Sequence, residues 1–157
     1  MAEFKQDLKK GRRAEQIVLN ILKDFLPAKF EIEDVGANKE YYYLGDIKLT
    51  NKLTGAQGFV EVKNDERINE THNVLCEWGY SSGNKYFNGN MKNGGEFYAV
   101  VDEVTRTVYF LDYIWLRANY KQGKPITIQH ETQTTFATLL PLSFIKENGG
   151  LLHTFTY

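Results

Sequence analysis

Apolar residues recur at intervals of three and four along the first part of the chain, over residues 3–26. The set comprises Leu8, Ala14, Ile17, Val18, Ile21, Leu22, Phe25 and Leu26. This spacing places them on one face of an amphipathic helix, and Pro27 follows as a stop. The same projection puts Glu15 inside the apolar stripe, with Gly11 on that face. The pattern therefore predicts a long N-terminal helix that carries a carboxylate toward the core.

After Pro27 the pattern changes to short runs that are typical of β-strands and are separated by turn residues. The runs cover residues 29–34, 40–50, 58–64, 74–78, 97–102 and 107–111, with a last strand over residues 150–157. Asp112 is expected to cap a helix over residues 113–120, and Ser143 a helical turn over residues 144–147. The Gly/Asn-rich residues 81–95 are interpreted as a long loop. The sequence thus predicts an α+β fold with a mixed, mostly antiparallel sheet flanked by helices.

Composition narrows the class of protein. The 157 residues are 42% hydrophobic, which is enough for one sizeable core, so we expect a single domain over residues 1–157. A balance of 19 Lys and Arg against 20 Asp and Glu excludes a protein that binds polyanions by bulk charge. One cysteine excludes an internal disulfide, and no apolar run suits a signal peptide or a membrane span. We expect a soluble, cytoplasmic protein with no membrane partner.

Residues 44–65 predict a β-hairpin with its turn around residues 52–55. Antiparallel pairing about this turn sets Ile47 opposite Val60 and Asp46 opposite Glu61. Strand alternation places Lys63 on the same face as Glu61. The opposite face, turned toward the core, then carries the apolar residues Ile47, Leu49, Val60 and Val62. Because two facing carboxylates repel each other, this pair needs a compensating cation.

Paired carboxylates beside an ammonium group are suited to phosphodiester hydrolysis. Mg²⁺ prefers one or two carboxylates together with waters and phosphate oxygens, and Lys63 could orient the nucleophile or stabilise developing negative charge. Two simpler interpretations stay open at this point. The Glu-x-Lys tripeptide can be an ordinary solvent-facing strand, and Glu15 can extend its head group to water from the helix edge.

Taken together, these residues resemble the PD-(D/E)xK superfamily of restriction-endonuclease-like nucleases. The likeness covers residues 11–65 and lies in Gly11-Arg-Arg-Ala-Glu15, Asp46 and Glu61-Val-Lys63. It implies a restriction-endonuclease-like core and an active site formed by Glu15, Asp46, Glu61 and Lys63. It also implies Mg²⁺ or Mn²⁺ as the cofactor, held at Asp46, Glu61 and Val62. One departure is Gly45, which stands in the place of the proline that names the superfamily.

A narrower likeness, to small phage-type nucleases of this superfamily, extends over residues 71–101. It implies that the strand carrying Asn73 and Glu77, and the loop that follows it, border the DNA, with Ser82 and Lys85 beside the cleft. A half-exposed strand with an ordinary surface loop is the alternative. The basic helix face of Lys9, Arg12 and Arg13 is either solvated or in contact with phosphates.

The sequence therefore favours a metal-dependent DNA endonuclease, encoded by a phage if the narrower likeness holds. The first rival is a DNA-binding or structural module of the same fold that has lost catalysis. The second is a β-rich domain that binds protein or carbohydrate through its 10 Tyr, 10 Phe and 2 Trp. Cleavage of both strands would favour a homodimer, because one site handles one strand. The sequence does not distinguish between junction, duplex and single-stranded DNA as the substrate.

Overall fold

The computed structural model describes residues 2–157, with side chains from Lys5 onward. Its helices are α1 (Ala2–Phe25), α2 (Ile68–Thr71), α3 (Tyr113–Asn119) and α4 (Leu142–Glu147). The strands before the middle of the chain are β1 (Phe30–Asp34), β2 (Ile47–Asn51), β3 (Gln57–Asn64), β4 (Asn73–Ser82) and β5 (Lys85–Asn88). The later strands are β6 (Phe97–Asp102), β7 (Thr107–Asp112), β8 (Lys124–Gln129), β9 (Thr134–Pro141) and β10 (Leu151–Thr156).

The strands are arranged in two sheets. One sheet has the order β1-β2-β3-β6-β7-β10, and the other has the order β5-β4-β9-β8. Within the larger sheet β3 and β6 run parallel, and every other neighbouring pair in the two sheets is antiparallel. The fold is therefore α+β, with a mixed, mostly antiparallel sheet flanked by helices, as the sequence predicts. No helix described in residues 2–157 is long and apolar enough to cross a membrane.

Buried apolar residues form two clusters, one on each face of the larger sheet, where the composition predicts one core. Helix α1 buries Ala14, Val18 and Leu22 against one face of the larger sheet. The other face of that sheet packs on the smaller sheet, α3 and α4, in a second core that contains Tyr98 and Cys76. The larger sheet is thus the middle layer. Side chains near the end of β3 therefore lie close to residues of α1 and of β4 in the smaller sheet.

Several predicted elements are confirmed. The first helix, the strands at residues 97–102 and 107–111 and the last strand all form close to their predicted bounds. Asp112 caps α3, and its side chain accepts a hydrogen bond from the Trp115 amide at 3.0 Å. The turn of the β2–β3 hairpin closes with Gly55 at φ 76°, a conformation that glycine adopts without steric cost.

Other expectations were wrong. The predicted loop at residues 81–95 is a hairpin arm, because β4 continues to Ser82, turns at Gly83 and returns as β5. The strand expected from residue 40 begins only at Ile47, after a turn of 3-10 helix. Ser143 lies inside α4, whose N-cap is Pro141. Leu8 is 50% exposed, because the buried stripe of α1 begins only at Ala14. Strands β8 and β9 had no counterpart in the prediction.

Candidate active site

The β2–β3 hairpin has the register that the sequence predicts, with Ile47 paired to Val60. Asp46 directly precedes β2 and is bound to β3 twice. Its amide donates to the Val60 carbonyl at 2.8 Å, and its Oδ2 accepts from the Val62 amide at 2.9 Å. Because a main-chain bond and a side-chain bond both fix this residue, its carboxylate has one defined position beside β3.

The side chains of β3 alternate between the two faces of the larger sheet. Val60 and Val62 are buried under α1, so Glu61 and Lys63 point to the other side of the sheet. The Lys63 Nζ lies 3.7 Å from the Glu61 Oε1, and the two side chains are 35% and 13% exposed. The lysine thus reaches solvent, while the glutamate is largely withdrawn from it.

The backbone at Gly45 explains the departure from the proline of the motif. Gly45 has φ 155°, and a Cβ built on it would lie 2.7 Å from the Val60 carbonyl oxygen. Proline fixes φ near −65°, so it cannot take this conformation. The close approach of the chain to β3 at this point is also what allows Asp46 to reach the Val62 amide.

Glu15 reaches the same region from α1. Its carboxylate lies against Gly36, with Oε2 3.1 Å and the Asp34 Oδ1 3.4 Å from the position of a Cβ on that glycine. One cleft of about 480 Å³ is lined by all four side chains that the sequence resemblance implies for the active site: Glu15, Asp46, Glu61 and Lys63. They come from α1, the start of β2 and the end of β3.

The carboxylates of the cleft are costly to ionise. Burial raises the pKa of Glu61 to about 7, with a further contribution from the Asp46 charge that Lys63 partly offsets. Burial, followed by the charges of Asp46 and Asp34, raises the pKa of Glu15 to about 7. Burial also raises the pKa of Asp46, although the bond from the Val62 amide opposes this shift. The cleft therefore concentrates negative charge that a bound cation would relieve.

The oxygen atoms available in the cleft are of the kind that hard divalent cations prefer. Asp46 and Glu61 offer carboxylate oxygens, and Val62, whose side chain is buried in the core, can offer only its main-chain carbonyl. Among the side chains described, which begin at Lys5, no group of three or more His, Cys, Asp and Glu is arranged to hold a metal ion. Mg²⁺ needs fewer protein ligands than that, because it binds through one or two carboxylates and keeps several waters.

The basic residues predicted on α1 have different surroundings. Arg13 donates from Nε and Nη2 to the two Glu103 carboxylate oxygens, both at 2.6 Å. The Arg13 guanidinium therefore already forms an ion pair within the protein. Arg12 lies close enough to Glu15 to lower its pKa. Lys9 is exposed and lies outside the described residues that line the cleft.

The three polar residues predicted beside the cleft also lie outside its described lining. Asn73 begins β4 and pairs with Pro141. The Ser82 hydroxyl donates to the Thr132 carbonyl at 3.5 Å, and Lys85 is exposed at the start of β5. Because β4 extends to Ser82, Ser82 and Lys85 lie at the β4–β5 turn, at the opposite end of β4 from Asn73. Their contact with nucleic acid stays a prediction.

Further acidic residues surround the four assigned side chains. Asp7, Asp65, Glu66 and Glu77 also line the cleft, and Asp34 lies near Glu15 beside Gly36. Glu77, on β4, lines the cleft as the narrower resemblance implies. Asp34 was missed by the sequence reasoning, and it contributes to the raised pKa of Glu15. A signal for it was present: it ends β1, opposite Ile47, the residue that follows Asp46. Predicting the pairing of β1 with β2 would have brought it to the site.

Comparison with solved structures finds a similar fold. The chain is similar to a bacterial homing endonuclease, I-Ssp6803I, with a TM-score of 0.50 and 11% sequence identity over 80% of this chain and 74% of that chain. At this identity the likeness is one of fold. No family model and no curated protein matches the sequence.

Proposed function

We propose that this protein is a Mg²⁺- or Mn²⁺-dependent DNA endonuclease of the PD-(D/E)xK, restriction-endonuclease-like superfamily. The observation that carries the proposal is the meeting of Asp46, Glu61 and Lys63 in one cleft. The register of a tight hairpin fixes this meeting, and it supplies the carboxylates and the ammonium group that the chemistry requires. The fold shared with a homing endonuclease is further support.

Asp46 and Glu61 are the groups that would hold the cation, together with the main-chain carbonyl of Val62. When bound, a divalent cation supplies polarisation of a phosphoryl oxygen and a coordinated water of lowered pKa. Asp46 is already oriented for this role by the Val62 amide. Glu61 is shielded from water, and this strengthens its attraction for a cation.

Lys63 and Glu15 are the other two groups of the proposed site. The Lys63 ammonium, held 3.7 Å from Glu61, donates hydrogen bonds and carries a compact positive charge. It orients the attacking water or stabilises charge on the phosphate as the bond to the leaving oxygen breaks. Glu15, with a pKa of about 7, can accept or hold a proton near neutral pH.

The test is cleavage of plasmid, linear duplex, single-stranded and four-way-junction DNA with Mg²⁺, with Mn²⁺ and with a chelator. We expect metal-dependent cleavage that Asp46→Asn and Glu61→Gln both abolish. The matched control is Glu131→Gln, an exposed acid in the turn between β8 and β9. Calorimetry with Mg²⁺ alone measures the cation site without reference to activity.

The rival of the same fold, a DNA-binding module without catalysis, predicts a different result. It would bind DNA with no cleavage under any metal condition, and the charge substitutions would alter binding alone. Cleavage by wild-type protein that persists in Asp46→Asn would reject the proposed site. Absence of Mg²⁺ binding by calorimetry would reject the metal dependence.

A further inference from the structure

A second opening adjoins the cleft and shares four lining residues with it. This opening encloses about 410 Å³, and Asp46, Glu61, Lys63 and Glu77 lie at its floor. Its rim is formed by four aromatic residues, Tyr42, Tyr43, Tyr80 and Phe87. We call this opening the aromatic mouth. It connects directly with the candidate catalytic groups, so whatever occupies it is adjacent to them.

The aromatic rings of the mouth are unusually accessible. Tyr42 is 70% exposed, Tyr43 68% and Phe87 40%, whereas aromatic rings are commonly buried in a core. Tyr42 and Tyr43 form one pair, with centroids 5.0 Å apart in an edge-to-face arrangement. Tyr80 and Phe87 form another, stacked with 16° between the ring planes. Ring surface is therefore offered to solvent on both sides of the opening.

The segments that carry these rings are held in place by main-chain hydrogen bonds and strand pairing. The Gly94 amide donates to the Tyr43 carbonyl at 2.8 Å. Tyr80 and Phe87 are partners in the β4–β5 pairing. The arm that contains Phe87 lies close to β4, because a Cβ on Gly89 would be 2.7 Å from the Glu77 carbonyl oxygen. Exposed rings on a fixed backbone are preorganised to bind a flat partner.

The charge of the aromatic mouth disfavours recognition through phosphates. Of the described residues that line it, one lysine, Lys63, faces three carboxylates, Asp46, Glu61 and Glu77. Duplex DNA is held largely by cations on its phosphates. Stacking of bases on aromatic rings needs no such excess of positive charge, because every base has a π-face. Asn88, Asn90 and Asn93 also line the opening, and a side-chain amide can bond to base edges.

We infer that the aromatic mouth binds unpaired nucleotides, and that the substrate of the site is single-stranded or locally unpaired nucleic acid. This inference rests on the proposed function and names its substrate class. Bases stack on the ring pairs at the rim, and the connecting phosphates pass over the floor where Asp46, Glu61 and Lys63 lie. Edge contacts from the amides select unpaired bases, whose hydrogen-bonding edges are free.

Binding can be measured without catalysis, by fluorescence anisotropy in a chelator. The probes are dT and rU oligonucleotides of about 12 nucleotides, a size within the usual range for single-strand sites, and a blunt duplex of equal length. We expect the single strands to bind more tightly than the duplex. Tyr43→Ala and Phe87→Ala should each weaken single-strand binding about tenfold, which is the scale of one lost base stack.

Two further variants separate stacking from structural damage. Tyr43→Phe keeps the ring and should retain binding. Phe25→Ala removes another exposed ring, 55% accessible, that packs against Phe155 away from the mouth, and it should also leave binding unchanged. Thermal melting of every variant checks the fold. Tyr43→Trp adds an indole at the rim, whose fluorescence should change on binding of dT.

The outcomes distinguish this inference from the proposed function. Single-strand preference that depends on the Tyr43 and Phe87 rings, for DNA, RNA or both, supports the inference. Equal or tighter duplex binding that neither ring affects overturns it, while metal-dependent cleavage of the duplex would leave the proposed function standing. A glycan or a peptide that binds the mouth in place of both oligonucleotides also overturns it. Ring-dependent binding without cleavage of any substrate would reject the proposed nuclease alone.

Discussion

Glu61→Gln should stabilise the metal-free protein at alkaline pH and leave its stability unchanged at acidic pH. The pKa of Glu61 rises from an ordinary value of 4.5 to about 7 in the folded state, through burial and the Asp46 charge. Folding therefore favours the protonated carboxyl. The free energy of unfolding is highest below the unfolded pKa, falls as the pH rises toward about 7 and is constant above it.

The size of the effect follows from the same shift. Each pKa unit corresponds to about 1.4 kcal/mol, so the ionised Glu61 costs the fold about 3 kcal/mol above pH 7. The side chain is 13% exposed, so solvent screens this cost little. The amide of Gln carries no charge and avoids the cost. For a chain of this length, the gain at pH 8 corresponds to a melting temperature higher by roughly 6–12 °C.

The assay is chemical denaturation of wild type and Glu61→Gln in a chelator, at pH 4 and at pH 8. Glu103→Gln is the control of opposite sign. Its carboxyl has a lowered pKa through its bond with Arg13, so this substitution should destabilise the fold at pH 8, where Glu61→Gln stabilises it. A Glu61→Gln effect that is equal at the two pH values, or a loss at pH 8, would refute the reasoning.

Three further predictions concern activity. Asp46→Asn should abolish metal-dependent cleavage while DNA binding survives or improves, because a charge that repels phosphate is removed; binding and cleavage are measured on the same preparation. Lys63→Ala should lose most of the rate but still bind Mg²⁺ by calorimetry, since an ammonium is not a metal ligand; loss of the metal would contradict this role. Glu15→Gln should lower kcat at least about tenfold, or roughly 1.4 kcal/mol, and Gln16→Ala should not; equal rates would remove Glu15 from the site.

The hairpin that carries the site was predictable because its determinants are local. A tight turn and strict alternation on two adjacent strands fix the register, and the pairing of Ile47 with Val60 confirms it. A one-residue slip would turn Val60 and Val62 away from the core. The position of Glu15 was only partly predictable. Projecting α1 as a helix shows which face carries Glu15, but it does not show which residues pack against that face.

The smaller sheet was harder to predict because its pairings are remote along the chain. Strand β9 joins β4 across about sixty residues, as Val74 and Leu140 do, and nothing within either segment identifies its partner. Strand β8 alternates, but its exposed edge position leaves a weak apolar signal. The β4–β5 turn did carry a signal, since Ser82 pairs with Lys85 across two residues led by Gly83, which is a favoured hairpin turn.

The single parallel pairing described in the larger sheet, β3 with β6, has a consequence for how this protein can change over evolution. Parallel neighbours need a long crossover, and here that crossover spans residues 65–96 and carries the β4–β5 arm. The carboxylate hairpin and the Phe87 side of the aromatic mouth are therefore encoded on separate, consecutive stretches of chain. The arm can acquire insertions, or be exchanged between relatives, while the geometry of Asp46 and Glu61 is inherited unchanged.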